Sequence, residues 1–248
     1  MPRNLRLILE YDGTDFHGWQ VQPGLDTIQG RLTSVASQVT NEPVHVHGSG
    51  RTDAGTHALA QVCNFLTESH IPVVNLKKAM NSLLPPSIRI NAIEEALLSF
   101  HSRRDAVFKH YRYRILILKN CSPFDYRYVH HCPFKLNLEK MSEAGEKLVG
   151  EHDFSAFCDS DSEAESKIRR LMSSSFLFDS TRNLIEYNVC ANGFLHHMVR
   201  NLVGIFLEIG KGRVACEAIT NILESKDRSL AGSTAPAKGL FLVKVGYR

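Results

Sequence analysis

Near the start of the chain Leu5, Leu7, Leu9 and Tyr11 alternate with Arg6, Ile8 and Glu10. A period of two marks a strand with one buried face. Between residues 26 and 40 the period changes: Ile28, Leu32, Val35, Ala36 and Val39 recur at three and four behind a capping Asp26 or Thr27, which predicts a helix. Short strands are expected at Val44-His45-Val46-His47 and over 58–66. A helix near 75–84, stopped by Pro85-Pro86, and a strand over 88–93 complete a β-α-β-β-α-β order.

A second series begins with a strand over 108–118. It continues with a helix over 138–149, strands over 168–178 and 184–189, helices over 194–209 and 215–223, and a last strand over 240–245. The order of types resembles the first series without a residue-level repeat. The expected architecture is α+β, with two similar halves, 1–105 and 106–248, around one shared sheet.

A chain of 248 residues accommodates either one large domain or two such halves. With 43% hydrophobic and 22% charged residues it has an ordinary globular composition, and no run approaches the roughly 18–20 apolar residues that span a bilayer. The first apolar run passes directly into Glu10 and Asp12, unlike a secretory signal. Six cysteines without a C-x-x-C pair fit reduced thiols in a cytosol. The expectation is a cytoplasmic protein that uses no membrane.

A net charge of +3 assigns no partner by itself. Its distribution is more informative: Arg103, Arg104, Lys109, Arg112 and Arg114 face a single acid, Asp105, with Phe108, Tyr111 and Tyr113 interleaved. Cations with aromatic rings suit phosphates and stacked bases. Strand parity puts Tyr111, Tyr113, Ile115 and Ile117 on one face and His110, Arg112 and Arg114 on the other. Tyr111 is then either a core aromatic or a platform for an unpaired base.

The stretch GSGRTDAGTHA, residues 48–58, lacks the Gly-Lys-Ser/Thr of a phosphate loop and the third glycine of a dinucleotide fingerprint. It reads either as a simple turn with Asp53 accepting local bonds, or as a site that presents a carboxylate. Arg51 favours the second, because a turn needs no cation there.

Over 194–204 Leu195, Met198, Val199 and Leu202 form an apolar stripe, and Arg200 lies off it beside His196 and His197. Arg200 is either a solvated charge or, if buried, in need of a carboxylate, for which Asp53 is a candidate. His45, His47 and His57 could share a metal only without any recognised ligand spacing, and His196 and His197, adjacent on a helix, should diverge by about 100°. No metal is expected. The acidic stretch 158–167, with Asp159, Asp161, Glu163 and Glu165, reads as a solvated loop.

Together these residues resemble the bacterial tRNA pseudouridine synthase A family over nearly the whole chain. The matching pieces are Y-D-G-T-x-F-x-G-W-Q-x-Q over 11–22, Thr27-Ile28-Gln29-Gly30, G-R-T-D-A-G over 50–55 and His57-Ala58. Further along come Phe100-His101 with Arg103, Tyr111-Arg112-Tyr113, the run from His196 to Asn201, and T-A-P-x-x-G-L over 234–240. The resemblance implies two ferredoxin-like halves sharing one central mixed sheet with a basic cleft, usually as a homodimer. It implies isomerisation of uridine to pseudouridine at positions 38 to 40 in the anticodon arm of tRNA, with neither cofactor nor metal.

Carried across by motif, Asp53 is the catalytic aspartate, Tyr111 stacks beneath the target base, Arg200 pairs with the aspartate and Arg51 accompanies base extrusion. Arg103, Arg112 and His57 join Arg51 and Tyr111 as substrate-binding residues. On this footing the simple-turn account of residues 52–55 is set aside. Thr56 departs from the branched apolar residue commoner there, Ser49 from a smaller one and Lys167 from proline. Three rival readings are an RNA-binding module without catalysis, a synthase acting on another RNA or other positions, and a metal or nucleotide enzyme.

Overall fold

A computed structural model describes residues 1–159 and 164–248, so Asp161 and Glu163 of the acidic stretch lie outside the described residues. The chain begins with β1 (Arg3–Tyr11), α1 (Ile28–Thr40), β2 (His47–Gly48), β3 (His57–Thr67), α2 (Val73–Leu83), β4 (Ile88–Ala96) and β5 (Ala106–Leu116). It continues with β6 (His130–His131), α3 (Leu138–Glu146), β7 (Gly150–Asp153) and β8 (Ile168–Asp179). It ends with β9 (Leu184–Ala191), α4 (Met198–Gly210), α5 (Ala218–Ser225) and β10 (Leu240–Tyr247). The fold class is α+β, as the sequence periods require. Among the described residues no helix is long and apolar enough to cross a membrane. Contacts divide the chain into two units, one of Met1–Val107 with Phe241–Arg248 and one of Phe108–Leu240.

In the first unit the strand order is β4-β1-β3-β10, with β2 on β3. β1 runs antiparallel to both neighbours, and β10 runs parallel to β3, Phe241 opposite His57. Leu5, Leu7 and Leu9 are wholly buried, while Arg6 and Glu10 face outward and Arg6 pairs with Glu94 at 2.5 Å. Each such leucine contributes on the order of 1.5–3 kcal/mol of burial. The helical layer turns Ile28, Leu32 and Ala36 of α1 and Leu76 and Met80 of α2 inward. Thr27 Oγ1 accepts from Gly30 N at 3.3 Å and so caps α1, while Asn41, at φ 57°, ends it.

In the second unit β5, β9, β8 and β7 lie side by side, each antiparallel to the next, and β6 adds in parallel to β5. Tyr113 pairs with Tyr187 across β5 and β9. Tyr187, Phe176 and Phe206 of α4 form a ring cluster with centroids 4.7–5.2 Å apart, which seats the helix on the sheet. A tail segment crosses α4 at Gly204, where an added Cβ would lie 1.8 Å from Ser233 O.

Several elements differ from the sequence reading, and β6 and β7 have no counterpart in it. The strand expected over 44–47 shrinks to β2, because α1 side chains already satisfy its backbone: Val44 N donates to Ser37 Oγ and Val46 O accepts from Gln29 Nε2. The helix expected from 194 starts only at Met198, because His197 is left-handed at φ 57°. The helix expected to reach 149 ends at Glu146. Phe241–Arg248, read as part of the second half, belongs to the first unit through its pairing with β3.

Substituting Gly204→Ala should lower stability by about 1–3 kcal/mol, the usual range for overpacking against backbone. Urea unfolding, read as a lower midpoint, checks it.

Candidate active site

The loop between β2 and β3 hangs on one buried amide in the first unit. Gln61 Oε1 accepts from Ser49 Oγ at 2.6 Å, and its Nε2 donates to Gly50 O at 3.0 Å and Tyr11 Oη at 3.3 Å. The Tyr11 hydroxyl in turn meets Thr52 Oγ1 at 2.8 Å. Burial pushes the Tyr11 phenol far up, against the Thr52 and Gln61 bonds, so it stays protonated.

Backbone bonds complete the frame: Trp19 N donates to Thr52 O at 3.0 Å, and Thr56 N to Asp53 O at 3.0 Å. Gly18, at φ 85°, sits where a side chain would meet Thr52 O, and a Cβ on Gly48 would enter the Trp19 ring. Thr52 and Thr56 are thus buried, Asp53 is partly buried and Arg51 is exposed. A rigid polar frame presents the carboxylate at the loop surface, which is what a reacting group needs to keep its aim.

His57 is placed differently from expectation. The residue is 1% exposed, its ring stacks on Phe241 at 4.7 Å, and its Nδ1 accepts from Gly13 N at 3.1 Å. Its Nδ1 also lies 3.2 Å from Asp12 Oδ1, an oxygen that already takes bonds from Thr14 N and Oγ1. The position is one of core packing. His45 and His47 set their rings 4.5 Å apart, with that of His101 5.0 Å from His47, whereas the His57 ring packs on Phe241. Arg103 is exposed in the same unit.

In the second unit Tyr111 is buried, with its ring set against Phe194 at 5.0 Å and 83°. Arg112 is partly buried and approaches Glu186 Oε2 at 3.4 Å, so part of its charge is balanced within the unit. Arg200 lies in the first turn of α4. Its Nε donates to Ala235 O at 2.7 Å while its own carbonyl accepts from Ala235 N at 3.1 Å. The tail therefore fixes both backbone and side chain of Arg200, and Pro236 O also accepts from Tyr113 Oη at 2.7 Å.

Ahead of Arg200, the rings of His196 and His197 stack at 3.9 Å, since neither residue is in the helix and the expected divergence of about 100° does not arise. Asp159 holds this turn. Its carboxylate meets His197 Nδ1 at 2.5 Å and accepts from Asn201 Nδ2 at 3.2 Å and Arg228 Nε at 3.4 Å. Burial opposes ionisation of Asp159, but the bonds from His197 and Asn201, the charge on His197 and the Arg228 contact outweigh it and hold the carboxyl below its usual 3.8.

The sequence pattern of the family described as tRNA pseudouridine synthase matches residues 7–105 and 144–248. The chain belongs to the tRNA pseudouridine synthase family. It is 50% identical over 248 residues to tRNA pseudouridine synthase A of Solibacter usitatus, covering 99% of this chain and 100% of that one. The proteins of that name from Caldicellulosiruptor saccharolyticus and Clostridium kluyveri are each 44% identical over 245 residues, covering 99% of this chain and all of theirs. A 3-hydroxy-3-methylglutaryl-coenzyme A reductase of Streptococcus pneumoniae aligns at 11% identity over 93% of this chain and 69% of that one, with a TM-score of only 0.21. The enzyme is accordingly an isomerase that converts uridine in tRNA.

Within this synthase, the sequence reading missed Gln61, Asp159, Asn201, Arg228 and the grip of Ala235 on Arg200. The motif over 234–240 was the visible signal for the last of these, though it carried no role. Ser49, where the family usually has a smaller residue, is accommodated by its bond to Gln61. Thr56 is not so accommodated: among the described residues its buried Oγ1 has no hydrogen-bond partner.

Replacing that hydroxyl by a methyl in Thr56→Val should raise stability by about 1–3 kcal/mol, the usual cost of a buried unsatisfied group, read by urea denaturation. A second expectation concerns acid. The depressed Asp159 carboxyl contributes stability in full above 3.8, and that contribution fades as pH falls through its lower folded value. The stability difference between the native chain and Asp159→Asn should therefore shrink below about pH 4 in pH-dependent unfolding.

Proposed function

We propose that the enzyme isomerises uridines 38, 39 and 40 in the anticodon stem-loop of tRNA, in the cytoplasm and as a homodimer. Asp53 is its catalytic carboxylate. The observation that carries this reading is the rigid frame around residues 49–56, which spends a buried amide, a phenol and two hydroxyls on holding Asp53 at the surface. A simple turn requires none of these. The motifs shared with the synthase A family support the choice of positions.

The reaction breaks the N1 to C1′ bond, turns the uracil and rejoins it through C5, with neither net redox change nor hydrolysis. One ionised carboxylate suffices. In this proposal the Arg200 guanidinium pairs with Asp53, favouring the charged form and fixing its direction. The grip of Ala235 supports that role, because it removes rotational freedom from the arginine before substrate arrives.

The target base must leave its stack at a cost of a few kcal/mol. Exposed Arg51 fills the vacated space in the RNA, and Tyr111, steadied by Phe194, stacks on the extruded ring. Arg103 and Arg112 serve the phosphates, Arg112 with its charge moderated by Glu186. His57 keeps a part in substrate binding only indirectly, by supporting the strand that follows the catalytic loop.

Asp53→Asn is nearly isosteric. It should abolish pseudouridine formation in an unmodified tRNA transcript while leaving the dissociation constant within a few-fold of native. Turnover at the native rate would refute the assignment, and product at positions other than 38 to 40 would refute the substrate.

A further inference from the structure

Residues 117–135, between β5 and α3, play no part in the chemistry above, and they lie outside the segments by which the family is matched. They display large rings to solvent: Phe124 is 88% exposed, Phe134 56% and Tyr126 47%. The display is built. Ser122 O accepts from both Asp125 N and Tyr126 N at 3.0 Å, Ser122 Oγ from Phe124 N at 3.2 Å, and Asp125 O from Tyr128 N at 2.8 Å. Phe124 therefore projects from a turn closed by its own hydrogen bonds.

Cations gather on the same rings. The Arg127 guanidinium and Lys238 Nζ lie 5.9 and 5.8 Å from the Tyr126 ring centre, and Lys211 Nζ lies 5.7 Å from that of Phe134. Lys211 also lines an open cavity of about 540 Å³ with Lys135 and Lys140. The half-buried His130 reports the resulting field: burial first, then the charges of Lys238, Lys211 and His131, push its pKa down to about 4. Acids are fewer. Asp125 sits on the turn, Glu139 lines the cavity, and Glu208 pairs with Lys211 at 2.9 Å.

We propose that this face is a second tRNA-binding surface, across which the sugar–phosphate backbone runs over Lys135, Lys140, Lys211 and Lys238 while a base stacks on Phe124. Rings interleaved with cations are the chemistry that holds RNA without reading its sequence. A second copy of this chain fits less well, because a two-fold contact through this face would set lysines against lysines. The surface begins at the end of β5, five residues and about 16 Å of strand beyond Tyr111. It therefore engages nucleotides other than the one that reacts, a placement that rests on the proposed role of Tyr111.

The test is equilibrium binding of an unmodified tRNA transcript, with no turnover required, so its outcome is independent of whether Asp53→Asn stops the reaction. The triple variant Lys135→Ala, Lys140→Ala, Lys238→Ala should weaken binding at least 10-fold near 0.15 M salt. Its plot of log affinity against log salt should be shallower by about 2 units, since each phosphate contact contributes roughly 0.7–0.9. Phe124→Ala should weaken binding about fivefold or more, as expected for a lost stacking partner, with the salt slope unchanged. Native affinity and slope in both variants would overturn the proposal. Native affinity with a shift from dimer to monomer in sedimentation, on Phe124→Ala, would overturn it in favour of a second copy as the occupant.

Discussion

The side-chain amide of Gln61 is the point on which the loop between β2 and β3 turns. Its oxygen and nitrogen are both engaged, by Ser49, Gly50 and Tyr11, in surroundings where no water competes. A buried polar network of this kind is stable only when every member is satisfied, and then it tolerates one arrangement of its neighbours. Thr52 is tied into it through Tyr11, and Asp53 is the next residue along. The backbone position of Asp53 is thereby an outcome of strand packing and not of the loop alone. The glycines at 18 and 48 permit the close approach of the Trp19 segment that completes the frame.

Arg200 is constrained by a different device. α4 could have started a turn earlier, as its apolar stripe suggests. Instead, the left-handed His197 ends the preceding turn, and Asp159 meets its imidazole while Asn201 and Arg228 share the carboxylate. Arg228 also bonds Asn201 Oδ1 and Thr234 Oγ1 at 2.7 and 2.8 Å, so the same cluster reaches the tail that grips Arg200. In both units a group of chemical interest is a short step from a hydrogen-bonded polar cluster, buried around Gln61 and half-buried around Asp159.

Much of this was legible where a single local rule decides. The alternation at Leu5 to Tyr11, the Thr27 cap, the Pro85-Pro86 stop and the buried parity of Tyr111 and Tyr113 all follow from period and terminus chemistry. The loop at 48–58 stands out in the sequence because its arginine serves no purpose in a simple turn. What could not be read depends on partners far away in sequence. Val44 and Val46 look like strand residues until Ser37 and Gln29 take their backbone groups. His197 looks helical until Asp159 meets its imidazole, and the buried His57 looks available until Phe241 stacks on it.

The parallel pairing of β10 with β3 joins Phe241 to His57, residues far apart along the chain. A ribosome releases Leu5 to Ala96 long before Phe241, so the first unit must wait, one strand short, while the whole of the second is synthesised. During that interval the flank of β3 that β10 will occupy presents unpaired amides and carbonyls, an edge open to wrong partners. The loop that carries Asp53 enters β3 at His57, the residue opposite Phe241. The strand that flanks the loop therefore arrives only after the second unit has been made, and until then a nascent chain carries Asp53 without β10 beside β3.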